Sequence, residues 1–240
     1  MLKFLWFGFL RQGWKIVRLF MMVTFRYHNR ENAPQNGPYL VVMNHLGLLD
    51  SPATFLAVTT NDWRVFAADK WRNNFFTRIL LGWTGAIWVK RGEVDRVALK
   101  AALEALQEEN AVFGIAPEGT RSKTKTMARG RDGAAYLATK AKVPILPLGV
   151  VGTENYRENF RNFRWSTMDI YIGQPFELPH LDRRIRSRDL PAYTHYIMIH
   201  ICQQLPQQYH GHYADSPALT ALQNGEDPWP LCLEVESLTA

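Results

Sequence analysis

The chain has 240 residues, 47% of them apolar, and a formal net charge of +6. That length and composition suit one domain with a full core and a short appendage. Two cysteines, Cys202 and Cys232, are too few for a disulfide framework, which leaves packed thiols in a reducing compartment; the basic balance comes without any nucleic-acid motif, so no nucleic-acid partner is expected.

Charge is segregated along the chain. Residues 1–30 carry Lys3, Arg11, Lys15, Arg18, Arg26 and Arg30 and no acid, whereas residues 189–240 carry six acids and no Lys or Arg. The front segment is rich in Leu, Phe, Trp, Met and Val, yet Arg11, Lys15 and Arg18 interrupt it. No run of about 18 uncharged apolar residues exists to span a bilayer, and no small-residue cleavage site of the secretory type is present. At about 100° per residue Arg11, Lys15, Arg18 and Arg26 fall in one sector about 80° wide, with Leu5, Phe7, Trp14, Phe20 and Met21 outside it. A basic stripe on an apolar helix fits the plane of an anionic membrane surface. Residues 1–30 are therefore expected to form a helical, amphipathic membrane anchor; the alternative is an N-terminal helix packed on the domain.

From there strand and helix signals alternate. Strands are expected at 39–43, 63–67, 86–89, 112–116, 143–151 and 168–172, and helices at 52–60, 70–82, 94–109, 131–142 and 191–204. Pro144 and Pro147 argue against a fully bonded central place for strand 143–151. The alternation predicts an α/β layered domain over residues 31–205, with a largely parallel sheet flanked by helices. Beyond Pro206 the composition turns polar and acidic with Pro217, Pro228 and Pro230, so residues 206–240 are expected to be loose.

His45 and Asp50 form the first chemical signal. Seven His and ten Asp in the chain give about 0.3 chance matches to a His-x4-Asp pattern, and His210 with Asp215 is a second instance, so context must decide. Before His45 runs the apolar stretch Tyr39 to Met43. After Asp50 comes Ser51-Pro52, a helix start. His45 thus belongs at a strand end and Asp50 at a helix beginning, where open α/β sheets place ligands. His210 lies in a polar stretch and reads as surface. Residues five apart on a helix are turned by about 140°, so a His–Asp contact needs a bend, which Gly47 permits. Asp50 then fixes the tautomer and the other ring nitrogen is left to take a proton.

Further strand ends carry Lys90-Arg91 and Pro117-Glu118-Gly119-Thr120-Arg121-Ser122. Parallel strands expose their carboxyl ends on one edge, so these can converge. Arg91 and Arg121 are candidates for paired contacts to a phosphate. Glu118 is a candidate to hold one of them or to bind a hydroxyl, and Gly119 lets the backbone approach a ligand. For each arginine taken singly, a surface ion pair is the commoner fate.

In combination these residues resemble the lysophospholipid acyltransferase family, whose best-known members are 1-acylglycerol-3-phosphate acyltransferases. Four ordered blocks over roughly residues 27–175 carry the resemblance: Asn44-His45-x4-Asp50, Gly85 to Arg91, Pro117 to Ser122, and Val143 to Leu148. Trp88 stands where the family often has Phe, and Ala116 where it usually has Phe. The resemblance implies that His45 deprotonates the free hydroxyl of 1-acylglycerol-3-phosphate, that Asp50 stabilises the imidazolium, and that the alkoxide attacks acyl-CoA or acyl carrier protein. It implies Arg91, Glu118, Gly119, Thr120 and Arg121 as the phosphate site, with Asn44, Gly47 and Lys90 in support. Neither a metal nor a cofactor beyond the thioester co-substrate is implied, and no Gly-x-Ser-x-Gly elbow for a covalent intermediate occurs. Backbone N–H groups near Gly47 are the candidates for oxyanion donors. A basic, apolar N-terminal element on the cytoplasmic face of a membrane belongs to the same expectation. The competing readings are an acyltransferase for another lysolipid, a thioesterase, and a non-catalytic lipid-binding surface protein.

Overall fold

The computed structural model describes residues 12, 13, 16, 18–60, 62–69, 72, 73, 78, 81, 85–89 and 96–237. Seven strands form one sheet: β1 (Val23–His28), β2 (Tyr39–Met43), β3 (Trp63–Ala68), β4 (Ile87–Val89), β5 (Val112–Ile115), β6 (Ile145–Val151) and β7 (Ser166–Ile172). Their spatial order is β1-β7-β6-β2-β5-β3-β4. All neighbours are parallel except β6 and β7. The sheet is thus mixed and mostly parallel, with helices on both faces.

β2 shows why the pattern folds this way. Every residue from Tyr39 to Met43 is buried, as befits a strand covered on both sides. Alternate side chains serve opposite cores. Leu40 and Val42 join the larger core with α2 (Arg96–Leu106), α3 (Gly133–Ala141) and α5 (Leu190–Gln203). Tyr39, Val41 and Met43 join the other with Ala53 and Ala57 of α1 (Asp50–Ala57). A two-residue period on a continuous apolar run thereby fixes the register.

Three expectations need correction. Residues 1–11, 14, 15 and 17 of the expected anchor lie outside the described residues, and Val23–His28, expected as helical, is the edge strand β1, paired with β7 from Val23↔Ser166 to His28↔Tyr171. The helical reading absorbed Arg26 into a basic stripe and passed over the β-branched and aromatic run Val-Thr-Phe-Arg-Tyr, which alternates as a strand does. Second, β6 is bonded on both sides despite Pro147. The antiparallel ladder with β7 stops at Leu148↔Ile172 and resumes as an isolated bridge at Ile145↔Phe176. Pro147 sits in that interruption, where a donor is not called for, and its carbonyl accepts from Gly173 N at 2.9 Å.

Third, the C-terminal segment is built into the domain. α4 (Tyr156–Arg161) precedes β7, and beyond α5 come α6 (Pro217–Gln223) and α7 (Trp229–Ser237). Tyr213, Ala218, Leu219 and Cys232 enter the larger core, and burial pushes the Cys232 thiol up to about 12. Ser216 caps α6 by accepting from Leu219 N. His210 is buried, its ring Nε2 2.9 Å from the Leu205 carbonyl oxygen. Composition misled here because polar residues at caps and turns hide a few well-spaced apolar anchors. Removing residues 207–240 strips side chains worth about 1.5–3 kcal/mol each from a domain whose total margin is about 5–15 kcal/mol. Such a truncation is expected to be insoluble or to lose its cooperative thermal transition; a transition within a few degrees of the full chain would contradict this packing.

Candidate active site

β2 and β5 end together, Val42 in register with Ile115, while β6 passes the level of Met43 at Leu148 and runs on to Val151. The chain leaving each end contributes to one constellation. Asn44 comes first and is fully buried. Its amide donates to the Val150 carbonyl at 2.8 Å and its oxygen accepts from Val150 N at 2.7 Å. The side chain thus replaces one backbone pairing with β6 while the main chain turns away.

The turn delivers His45 to Asp50. His45 Nδ1 lies 2.7 Å from Asp50 Oδ2. Gly47 N donates to the same oxygen at 2.8 Å, and the Thr153 hydroxyl donates to Oδ1. Asp50 has no solvent exposure. A carboxylate in that position needs such donors, and it also stands in the first turn of α1 where the helix dipole favours negative charge. With Nδ1 facing the carboxylate, Nε2 of His45 carries no hydrogen bond among the described residues and faces a cleft. Gly47 is required for a reason other than the anticipated bend. A Cβ there would stand 2.4 Å from the Thr153 carbonyl oxygen, so any side chain would separate the His–Asp turn from the end of β6.

Glu118 lies beneath this site. It is 2% exposed; Oε1 accepts from His45 N at 2.9 Å and Oε2 from Ala128 N at 3.1 Å. Both oxygens are thereby engaged in backbone support rather than turned toward a substrate. Ser122 N donates to the His45 carbonyl at 2.8 Å, so the 117–122 turn holds the His45 backbone from both sides. Gly119 (φ 70) lines the cleft and Thr120 is exposed. Arg121 is half-buried and is not among the cleft-lining residues. Lys90 and Arg91 lie outside the described residues. The N–H of Gly47, considered above as an oxyanion donor, is already committed to Asp50.

The cleft measures about 1360 Å³. Its walls include Met43, Phe55, Val65, Phe66, Leu99 and Ile115, and its cations among the described residues are Arg96, Arg129 and Arg131. Arg129 and Arg131 were not anticipated. They sit on a strap, residues 127–132, that has no regular structure and is tied at nearly every residue. Arg131 N donates to the Pro117 carbonyl and Met127 N to the Tyr209 carbonyl, both at 2.8 Å. Gly130 N donates to the Tyr213 hydroxyl at 2.9 Å, and the Thr194 hydroxyl donates to Asp132 Oδ1 at 2.7 Å. The Arg131 side chain lies over Gly119, its Cδ 3.2 Å from where a Cβ would stand. Three of these four ties therefore come from α5 and the segment behind it. The available signal was Arg-Gly-Arg shortly before a helix; Tyr213 and Thr153 carried none.

Two further histidines line the cleft, His195 and His212. His195 Nε2 is 2.9 Å from the Ser216 hydroxyl, and burial together with the His212 charge pushes its pKa down to about 4. His45 is the cleft histidine with a carboxylate on one nitrogen and the other free. No group of three or more His, Cys, Asp or Glu side chains suited to a metal occurs among the described residues.

Burial drives the Glu118 carboxyl up to about 7, against the pull of its two N–H donors. Between the ordinary value of 4.5 and about 7, the folded chain keeps a proton that the unfolded chain has released. Stability must then fall as pH rises through that window, by up to about 3 kcal/mol. Denaturant unfolding of the wild type and Glu118→Gln from pH 4 upward should show this loss in the wild type alone; parallel curves would remove the buried-carboxyl assignment.

A family described as Acyltransferase matches residues 24–151, which hold β1 to β6, the His–Asp turn and the strap. The chloroplastic 1-acyl-sn-glycerol-3-phosphate acyltransferase of Brassica napus is 27% identical over 154 residues, 60% of this chain and 42% of that protein. The 1-acyl-sn-glycerol-3-phosphate acyltransferase of Bacillus subtilis is 24% identical over 62% of this chain and 72% of its own length. The chain thus spans less than half of the Brassica protein. In fold it resembles the crystal structure of the 1-acyl-sn-glycerophosphate acyltransferase from Thermotoga maritima, with a TM-score of 0.63 over 80% of this chain and 76% of that one at 21% identity.

Proposed function

Since this chain belongs to the Acyltransferase family, we propose that it moves a fatty acyl group from an acyl thioester to the free hydroxyl of 1-acylglycerol-3-phosphate, a step of phospholipid synthesis. The observation that carries the reading is His45: Nδ1 is held by a buried carboxylate, while Nε2 is open to the cleft. Nε2 accepts the hydroxyl proton as the oxygen attacks the thioester carbonyl. The buried Asp50 favours the imidazolium that forms. Collapse of the tetrahedral adduct breaks the carbon–sulfur bond, and the imidazolium proton passes to the departing thiolate. The donor is acyl-CoA or acyl carrier protein.

The phosphate of the acceptor is assigned to the cationic mouth of the cleft. Arg131 and Arg129 face that cleft from the strap, and a guanidinium pair suits a phosphate dianion. Lys90, Arg91, Thr120 and Arg121 are proposed to complete the site, with Gly119 providing close backbone approach. Glu118 acts one layer behind, by holding His45 and the strap. The apolar walls receive acyl chain. The protein is proposed to work at the cytoplasmic face of a membrane without crossing it; among the described residues no helix is long and apolar enough to cross one.

The test is acylation of 1-acylglycerol-3-phosphate by purified protein with lipid present, products identified by mass spectrometry. His45→Ala should lower kcat by about 10²–10⁴-fold with the acceptor KM little changed; full activity in that variant would remove the base. Arg131→Gln should raise the acceptor KM by about tenfold or more, the worth of one charged hydrogen bond; an unchanged value would move the phosphate elsewhere.

A further inference from the structure

Eight large apolar side chains are markedly exposed among the described residues, and seven of them fall in three short segments. These are Ile16, Leu19 and Phe20; Leu48; and Phe160, Phe163 and Trp165. Scattered single exposures are ordinary, but a concentration of this kind marks an interaction surface.

The sheet brings the three segments to one edge. β1 and β7 run side by side from Val23 and Ser166, and β7 meets β6 antiparallel. Both strands therefore begin where β6 and β2 end, at the edge that carries His45. Ser166 N donates to the Met22 carbonyl at 2.8 Å, and the Trp165 indole N–H donates to the Thr24 hydroxyl at 2.7 Å. The turn after α4 and the entry to β1 are thus joined. Leu48 belongs to the His45–Asp50 turn itself. Its neighbour Leu49 packs with Val23, Tyr156 and Met168, and the Phe160 ring lies 5.7 Å from that of Tyr156.

Phe163 is the most telling residue. It is 86% exposed and has φ 52. Arg164 N returns to the Asn159 carbonyl at 2.8 Å, closing the helix end through a left-handed residue. Glycine or asparagine ordinarily fills that place. A phenylalanine there accepts backbone strain and holds its ring out into solvent, two costs that water does not repay. Charge completes the pattern. Arg157, Arg161 and Arg164 are exposed on this turn and Arg18 on the adjoining segment, against the single exposed acid Glu158 within residues 157–165.

We infer that the Phe160–Trp165 turn is a second membrane-insertion point, which together with Ile16, Leu19, Phe20 and Leu48 seats the edge that carries His45 on an anionic bilayer. The rings enter the interface and the arginines meet headgroup phosphates. A lipid then reaches the cleft without leaving the surface. The benefit to turnover rests on the acyltransferase reading above, whereas the binding does not.

The test uses the full chain and vesicles of equimolar phosphatidylcholine and phosphatidylglycerol. Asp is well tolerated at positive φ, so Phe163→Asp should fold normally and partition at least about tenfold more weakly, as loss of one inserted ring requires. Arg161→Glu with Arg164→Glu should weaken binding and flatten its salt dependence. A bimane label on Phe163→Cys should shift to the blue when vesicles are added. Unchanged partition of Phe163→Asp or an unshifted label overturns the proposal. So does self-association that Phe163→Asp abolishes in a chain that ignores vesicles. Vesicle binding through this turn in a chain that transfers no acyl group supports the surface while removing the acyltransferase reading; transfer activity on vesicles indifferent to Phe163→Asp does the reverse.

Discussion

A single buried carboxylate organises the edge of the sheet that carries His45. Asp50 has no contact with solvent and receives donors from His45, Gly47 N and Thr153. Each lies on a different part of the path: the exit of β2, the turn into α1 and the exit of β6. An ionised carboxylate placed in such surroundings is costly unless its lone pairs are occupied. Three ends of structure must therefore meet within hydrogen-bond reach. This requirement explains Gly47, where a methyl group would collide with the Thr153 carbonyl. It also explains Asn44, whose amide lets β2 peel away from β6 without stranding Val150.

Glu118 performs a comparable service one layer back, with a different balance. Two backbone donors do not fully offset its burial, and its carboxyl is pushed up to about 7. The residue joins His45 N to Ala128 N. It thereby couples His45 to the strap that carries Arg129 and Arg131. Besides the Pro117 carbonyl, the strap's other supports are Tyr209, Tyr213 and Thr194, which lie beyond the stretch that matches the family. The cleft is consequently a joint product of the family-matched sheet edge and a C-terminal unit of this chain. Residues far along the sequence set where the guanidinium groups stand relative to His45.

Much of this was legible in the residues and some was not, for physical reasons. The central strands were readable because burial on both faces demands continuous apolar runs such as Tyr39 to Met43. His45 and Asp50 were readable because a strand signal precedes one and a helix start follows the other. β1 was hidden by Arg26, which fits a helical stripe and an exposed strand position equally well. Glu118 was misassigned because a carboxylate in a turn announces chemistry, while its actual partners are main-chain N–H groups that no sequence displays. Thr153, Tyr213 and the strap depend on long-range pairing, Gly130 with Tyr213 being 83 positions apart. The C-terminal helices were missed because a few anchors, Leu219 and Cys232 among them, suffice to dock a short helix.

The antiparallel pairing of β6 with β7 bears on the function and the docking proposed above. In a wholly parallel sheet, strands would start on the edge opposite the ligand site, and the loops leading into them would face away from it. Because β7 opposes β6 and β1 follows β7, the segments that enter those two strands lie on the edge that carries His45. Those same segments hold Phe20, Phe163 and Trp165 in solvent. A water-soluble substrate would give no reason to crowd exposed aromatic rings and arginines around the mouth of a catalytic cleft. A substrate resident in a lipid layer does, since the distance it must rise from that layer falls as the cleft is pressed closer to it. On this view the reversal of β7 is what allows one edge of the sheet to serve both chemistry and docking.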